Sequence, residues 1–271
     1  MHEVNQALAR KVLEVVDAGL CSGMGVAEPG KMCVEAAVCY AMGLPHGDHP
    51  TCVAPALRRL KIRLNDSPWT SDAARAKGLR RLAIAQLGSA GVLDEPEFAR
   101  RVCSLALRTS VPNAIKATAG LFRDGTATKE RLLHAADLCS RTPSAPISSE
   151  LRVMAKQLAA AAAAAADAAA DAAAVAAAAA VAAAAADAVA VAAAAADADA
   201  AAVAVAAADA DAVAVAAADA DAKFWSTYWK YRNEGNAQRD AALAEFCEGV
   251  VQILIEMKAP GCEWLDLTEA A

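Results

Sequence analysis

The chain has 271 residues, 26 Lys/Arg against 32 Asp/Glu, a formal net charge of −6 and 57% hydrophobic residues. Much of that hydrophobicity is alanine gathered in residues 159–222, whose longest run without Asp, 172–186, falls short of the roughly 20 residues that a membrane-spanning helix needs, so a span is excluded there. The eight cysteines form no CxxC pair, and the opening Met-His-Glu-Val-Asn-Gln has no basic region followed by an apolar run; the expectation is a cytoplasmic chain with reduced thiols, not a secreted disulfide framework.

The charge is segregated. Residues 1–158 carry 21 Lys/Arg against 15 Asp/Glu, the tract 159–222 carries nine Asp and no base, and residues 223–271 carry five bases against eight acids. A basic head and an acidic tract can attract each other within or between molecules, an attraction that salt screens. The plainer reading is that a polyalanine surface needs its aspartates to stay in solution.

In chain order, residues 3–20 place Val4, Leu8, Val12, Val15 and Val16 at helical spacing and predict a first amphipathic helix. Residues 21–30, rich in Gly, Ser and Pro, read as a loop. A short, strongly apolar helix over 31–43 follows, with Cys33 in its first turn and Gly43 at its end.

Residues 44–52, Leu-Pro-His-Gly-Asp-His-Pro-Thr-Cys, hold the densest set of chemically capable side chains. A thiol at a helix N-terminus has its thiolate favoured by unpaired amides and the helix dipole, and a histidine in the next loop can serve as its base. Cys33 with His46, Asp48 or His49 is therefore the candidate catalytic set, suited to hydrolysis or acyl transfer. The same stretch offers soft zinc ligands in Cys33, Cys39, His46, His49 and Cys52. Cys33 and Cys39 lie six residues apart, however, and a helix turns them away from each other, so no metal and no cofactor is expected. The alternative for the loop is structural, with Asp48 capping the next helix.

That helix, over 53–64, has Val53, Leu57, Leu60 and Leu64 inward and is expected to turn Arg58, Arg59, Lys61 and Arg63 to solvent. After Asn65-Asp-Ser-Pro68, Ser71 or Asp72 can cap a helix reaching about 87 that carries Arg75, Lys77, Arg80 and Arg81. Two basic helices can bind phosphate, but no recognition helix, basic-aromatic interleaving or Gly-rich loop accompanies them, so the expectation is a solvated face and no nucleic acid. Helices over 94–109, 112–122 and 127–139 follow, with Thr126 or Thr128 as a cap and His134 packed.

Prolines 143 and 146 mark a boundary, and Ser148 opens a helix running into the tract of 47 Ala, 9 Asp and 8 Val. Alanine is the best helix former, so the tract predicts a long helix of roughly 96 Å. Its Asp and Val residues alternate with Ala without lining one face, which leaves a free rod, self-packing through close Ala contacts, or a narrow β-solenoid with a ten-residue recurrence.

Beyond it, Phe224, Trp225, Tyr228, Trp229 and Tyr231 form an aromatic cluster, read as a plug for the tract's end or a docking surface. A turn at 233–236 and a final amphipathic helix over 237–258 are expected, then a tail, 260–267, with more buriable groups.

The segments Gly30-Lys-Met-Cys-Val-Glu-Ala-Ala-Val-Cys-Tyr-Ala-Met-Gly-Leu-Pro-His-Gly-Asp48, Lys61-Ile-Arg-Leu-Asn-Asp66 and Gln252-Ile-Leu-Ile-Glu-Met-Lys-Ala-Pro-Gly261 resemble a group of uncharacterised bacterial and phage proteins. Those proteins join a similar head and tail around an alanine-rich middle. The resemblance implies that layout and no activity.

The reading is an all-α protein in which 1–158 and 223–271 cooperate in one domain and 159–222 is an insertion. Its leading function is a structural or interaction scaffold that self-associates through the tract, with its own copies or another protein as partner and no membrane. The alternative is a thiol hydrolase or transferase built on Cys33.

Overall fold

In a computed structural model the protein is helical, with no strand among the described residues, which are 4–119, 125–141, 153, 156 and 222–269. The alanine tract up to residue 221 lies outside them, as does the expected helix start at Ser148. Two compact units are present: Met1–Val102 with Asn236–Ala271, and Cys103–Gly235.

The first unit begins with α1, Gln6–Asp17. Asn5 Oδ1 accepts from Leu8 N at 3.0 Å, satisfying one of the amides that a helix start leaves without partner. Ala9, Val12, Leu13, Val15 and Val16 form its buried stripe. The helix ends at Ala18, and Gly19, at φ 116°, turns the chain in a conformation that L side chains rarely adopt.

Helix α2, Val34–Ala41, buries every residue except Tyr40, which explains the absence of a polar stripe in its sequence. Helix α3, Pro55–Asp66, opens with proline at its first position, where no amide is needed. Asp48 does not cap it. Ser89 Oγ accepts from Ala54 N at 2.9 Å and Glu95 Oε2 accepts from Ala56 N at 2.7 Å, so two remote side chains perform that task.

Helix α4, Asp72–Ala85, is capped by Ser71 Oγ, which accepts from Ala74 N at 3.1 Å. It packs against α1, α2, α3 and the C-terminal 3₁₀ segment Pro260–Thr268. Helix α5, Glu95–Arg108, spans the boundary between the units at Val102.

The expected solvated basic face is corrected at two positions. Lys61 is fully buried, and Arg75 is 6% exposed, donating to Asn65 O at 2.8 Å and Leu20 O at 3.1 Å and pairing with Asp72. Lys61 follows Leu60 and precedes Leu64 by three residues, so it sits on the apolar stripe of α3 whatever its charge.

In the second unit α6, Ser110–Ala119, packs on α7, Ala127–Arg141, and Ile115, Ala119, Leu132, Ala136 and Cys139 are buried. Thr126 Oγ1 caps α7 by accepting from Lys129 N.

Helix α8, Ala222–Glu256, runs without the turn expected at 233–236. A single glycine costs a helix only about 1 kcal/mol, which its neighbours outweigh. Residues 222–235 belong to the second unit and 236–256 to the first, where Leu243, Phe246, Cys247, Val250, Val251 and Leu254 enter the core.

Polar contacts join the first unit's C-terminal part to its N-terminal part. Arg81 pairs with Glu248 at 2.9 Å, Arg101 with Glu256 at 2.8 Å, and Thr70 with Asp240. Arg80 pairs with Asp17 and donates to Thr268 O. Gly261 lies directly on the end of α4: a Cβ there would meet Ile84 O far inside contact distance, with Leu87 N at 2.8 Å and Ala85 O at 2.9 Å.

Candidate functional site

The chain from Cys21 to Cys33 folds onto the C-terminal end of α3 through backbone needs. Residues 25 and 32 make an isolated antiparallel bridge, and Cys33 N donates to Met24 O at 3.2 Å. Asn65 joins three elements. Its Oδ1 accepts from Val34 N at 3.2 Å, and its Nδ2 donates to Cys21 O and Asp66 Oδ1, each at 2.9 Å. Asp66 Oδ1 also accepts from Gly23 N at 2.8 Å. These bonds place Cys33 as the N-cap of α2, as its sequence position suggests, with Sγ accepting from Ala36 N at 3.4 Å.

The surroundings of that sulfur are those of a core thiol. Cys33 is 4% exposed, and burial pushes its pKa up despite the downward pull of the helix amides. Activation needs the opposite displacement. His46 is exposed and its Nε2 lies 3.1 Å from Gly25 O; His49, also exposed, pairs through Nδ1 with Asp48. The four candidate residues thus fall in one region, with each histidine engaged elsewhere than on the sulfur. Cys39 and Cys52 are buried as well, and burial raises both. Among the described residues no group of three or more His, Cys, Asp or Glu is arranged to hold a metal ion.

A pocket of about 50 Å³ opens between these elements, lined by residues that include Gly23, Met24, Cys33, Glu35, Asp48 and Asp66. It has room for a few water molecules and is far below the roughly 300 Å³ at which small-molecule sites begin.

The most unusual chemistry lies at its wall, in Glu35 and in Lys61, the residue expected to face solvent. Glu35 on α2 and Lys61 on α3 are both fully buried, with Lys61 Nζ 3.5 Å from Glu35 Oε1. At that separation the contact is at the outer limit of hydrogen bonding, and neither Glu35 oxygen nor Lys61 Nζ has a further hydrogen-bond partner among the described residues. Burial drives Glu35 up from 4.5 to about 7, opposed by the nearby Lys61 and Arg58 charges, and drives Lys61 down, opposed chiefly by Glu35. Glu35 was detectable in sequence as the only charge between Met32 and Met42, inside an otherwise apolar run.

Compared with protein-family models, curated proteins and solved structures, the chain matches none. No helix among the described residues is long and apolar enough to cross a membrane.

Proposed function

We propose that the chain is a structural or interaction protein, a helical scaffold that displays an alanine-rich insertion and self-associates through it. The observation that carries this reading is the composition of the first unit: residues 236–271 share it with residues 1–102, so the chain leaves that unit and returns to it around the insertion. Ion pairs and a close backbone seat hold the returning segment, which anchors the two ends of whatever lies between. The insertion supplies small side chains that allow close approach of copies, and regularly spaced aspartates that limit nonspecific association.

The test is deletion of 159–222, with mass measured by light scattering on a sizing column. The full chain should run as a defined oligomer, and the deletion variant as a monomer with the first unit's thermal transition retained. Identical stoichiometry in both proteins would remove the tract from any role in association.

A further inference from the structure

We propose that the alanine-rich tract of one chain docks on the exposed bases of the second unit of another copy, so that its aspartates meet Lys and Arg side chains there. This rests on the reading that the tract mediates association, and it names the surface that receives the tract. The observation behind it is where the division into units puts the charge. The first unit, 1–102 with 236–271, carries 15 Lys/Arg against 18 Asp/Glu. Outside the tract, the second unit carries 11 Lys/Arg against 5 Asp/Glu, in residues 103–158 and 223–235. The tract itself holds nine Asp and no base. All of the chain's positive surplus therefore lies in the second unit, and the first unit shares the tract's sign.

The bases of the two units also differ in how they are occupied. In the first, Lys61 and Arg75 are buried, while Lys31, Arg80, Arg81 and Arg101 pair with Glu28, Asp17, Glu248 and Glu256 respectively. In the second, Arg108 at the end of α5, Lys116 on α6 and Arg131 on α7 are exposed. Arg141 is exposed too, and its pairing with Asp137 one turn away on α7 is of the weak surface kind that a new partner can replace. The competing arrangement, tract packed on tract, brings nine aspartates against nine. The two arrangements respond to salt with opposite sign. Screening shortens the reach of a charge from about 10 Å at 0.1 M to about 3 Å at 1 M, which weakens docking between opposite charges and relieves repulsion between like tracts. Because tract and dock are different surfaces, the contact is heterologous: it closes into a dimer where two chains exchange tracts and otherwise grows head to tail.

The experiment is sedimentation velocity on the full chain over a concentration series in about 0.1 M and about 1 M NaCl, beside a variant carrying Arg108→Glu, Lys116→Glu and Arg131→Glu. Each exposed ion pair is weak, but several together should raise the dissociation constant at least about tenfold at the higher salt. The variant should associate at least about tenfold more weakly than wild type at the lower salt, with its circular dichroism spectrum and melting unchanged. If the variant does not fold, the salt response of the wild-type chain decides alone. An oligomer that salt leaves unchanged or tightens, or one that the charge reversals leave intact, overturns the docking and leaves association through the tract standing. A chain that stays monomeric in both salts overturns both readings, and so does a salt-weakened oligomer that persists when 159–222 is deleted.

Discussion

Gly261→Ala tests how the C-terminal segment is held. The added methyl would sit against the backbone of Ile84, Ala85 and Leu87 at the end of α4, and two of those atoms lie at 2.8 and 2.9 Å. No side-chain rotation relieves a clash with main-chain atoms, so Pro260–Thr268 must shift outward or unseat. A shift that preserves the rest costs about 1–3 kcal/mol, the usual range for overpacking. Full unseating forfeits most of Leu265, 8% exposed, worth about 1.5–3 kcal/mol. It also breaks the donations from Arg80 and Arg81 to Thr268, discounted to about 0.5–1 kcal/mol each because both arginines are partly exposed. The expected loss is about 2–4 kcal/mol. At roughly 3–5 °C per kcal/mol, calorimetry should show the first unit's transition lowered by about 10 °C. Gly91→Ala serves as the control: its φ of 71° strains an L residue, but nothing lies within 4 Å of the new methyl, so only about 1 kcal/mol is expected. A Gly261→Ala transition within about 2 °C of wild type would refute the claim that this seat needs glycine.

Two further outcomes follow from the buried polar groups. In urea titrations Lys61→Met alone should destabilise the first unit, by up to about 3–5 kcal/mol above pH 7 and by less below it, where Glu35 takes up its proton; Glu35→Met combined with Lys61→Met should be neutral or stabilising. Cys33 should alkylate with iodoacetamide at pH 7.5 at least about tenfold more slowly in the native chain than in urea, as judged by mass spectrometry. Rapid, selective labelling of Cys33 would instead revive a thiol-dependent activity.

What the sequence makes legible is whatever depends on local pattern. The stripe Val12, Val15, Val16 gives α1, the Ser71 hydroxyl marks the start of α4, and Cys33 is found at the start of α2 because apolar residues begin there. What escapes depends on contacts remote in sequence. Lys61 and Arg75 look like surface residues by type, and only their places on the inner faces of α3 and α4 bury them. Asp48 looks like a cap for α3, yet Ser89 and Glu95, more than thirty residues away, hold that helix start. The break anticipated at 233–236 trusted a glycine-containing quartet over the helix formers around it. For the candidate site, the position of Cys33 was readable, but its burial was not, because burial is set by Asn65 tying α2, α3 and Cys21 together. The tract up to residue 221 and the side chains of the aromatic cluster 224–231 lie outside the described residues.

The central claim is self-association through the alanine-rich insertion, and small-angle X-ray scattering with mass from the same full-length sample tests it most directly. The account predicts a particle of two or more chains with a maximum dimension near or above roughly 100 Å, the length of the insertion as a helix. A compact monomer would contradict it.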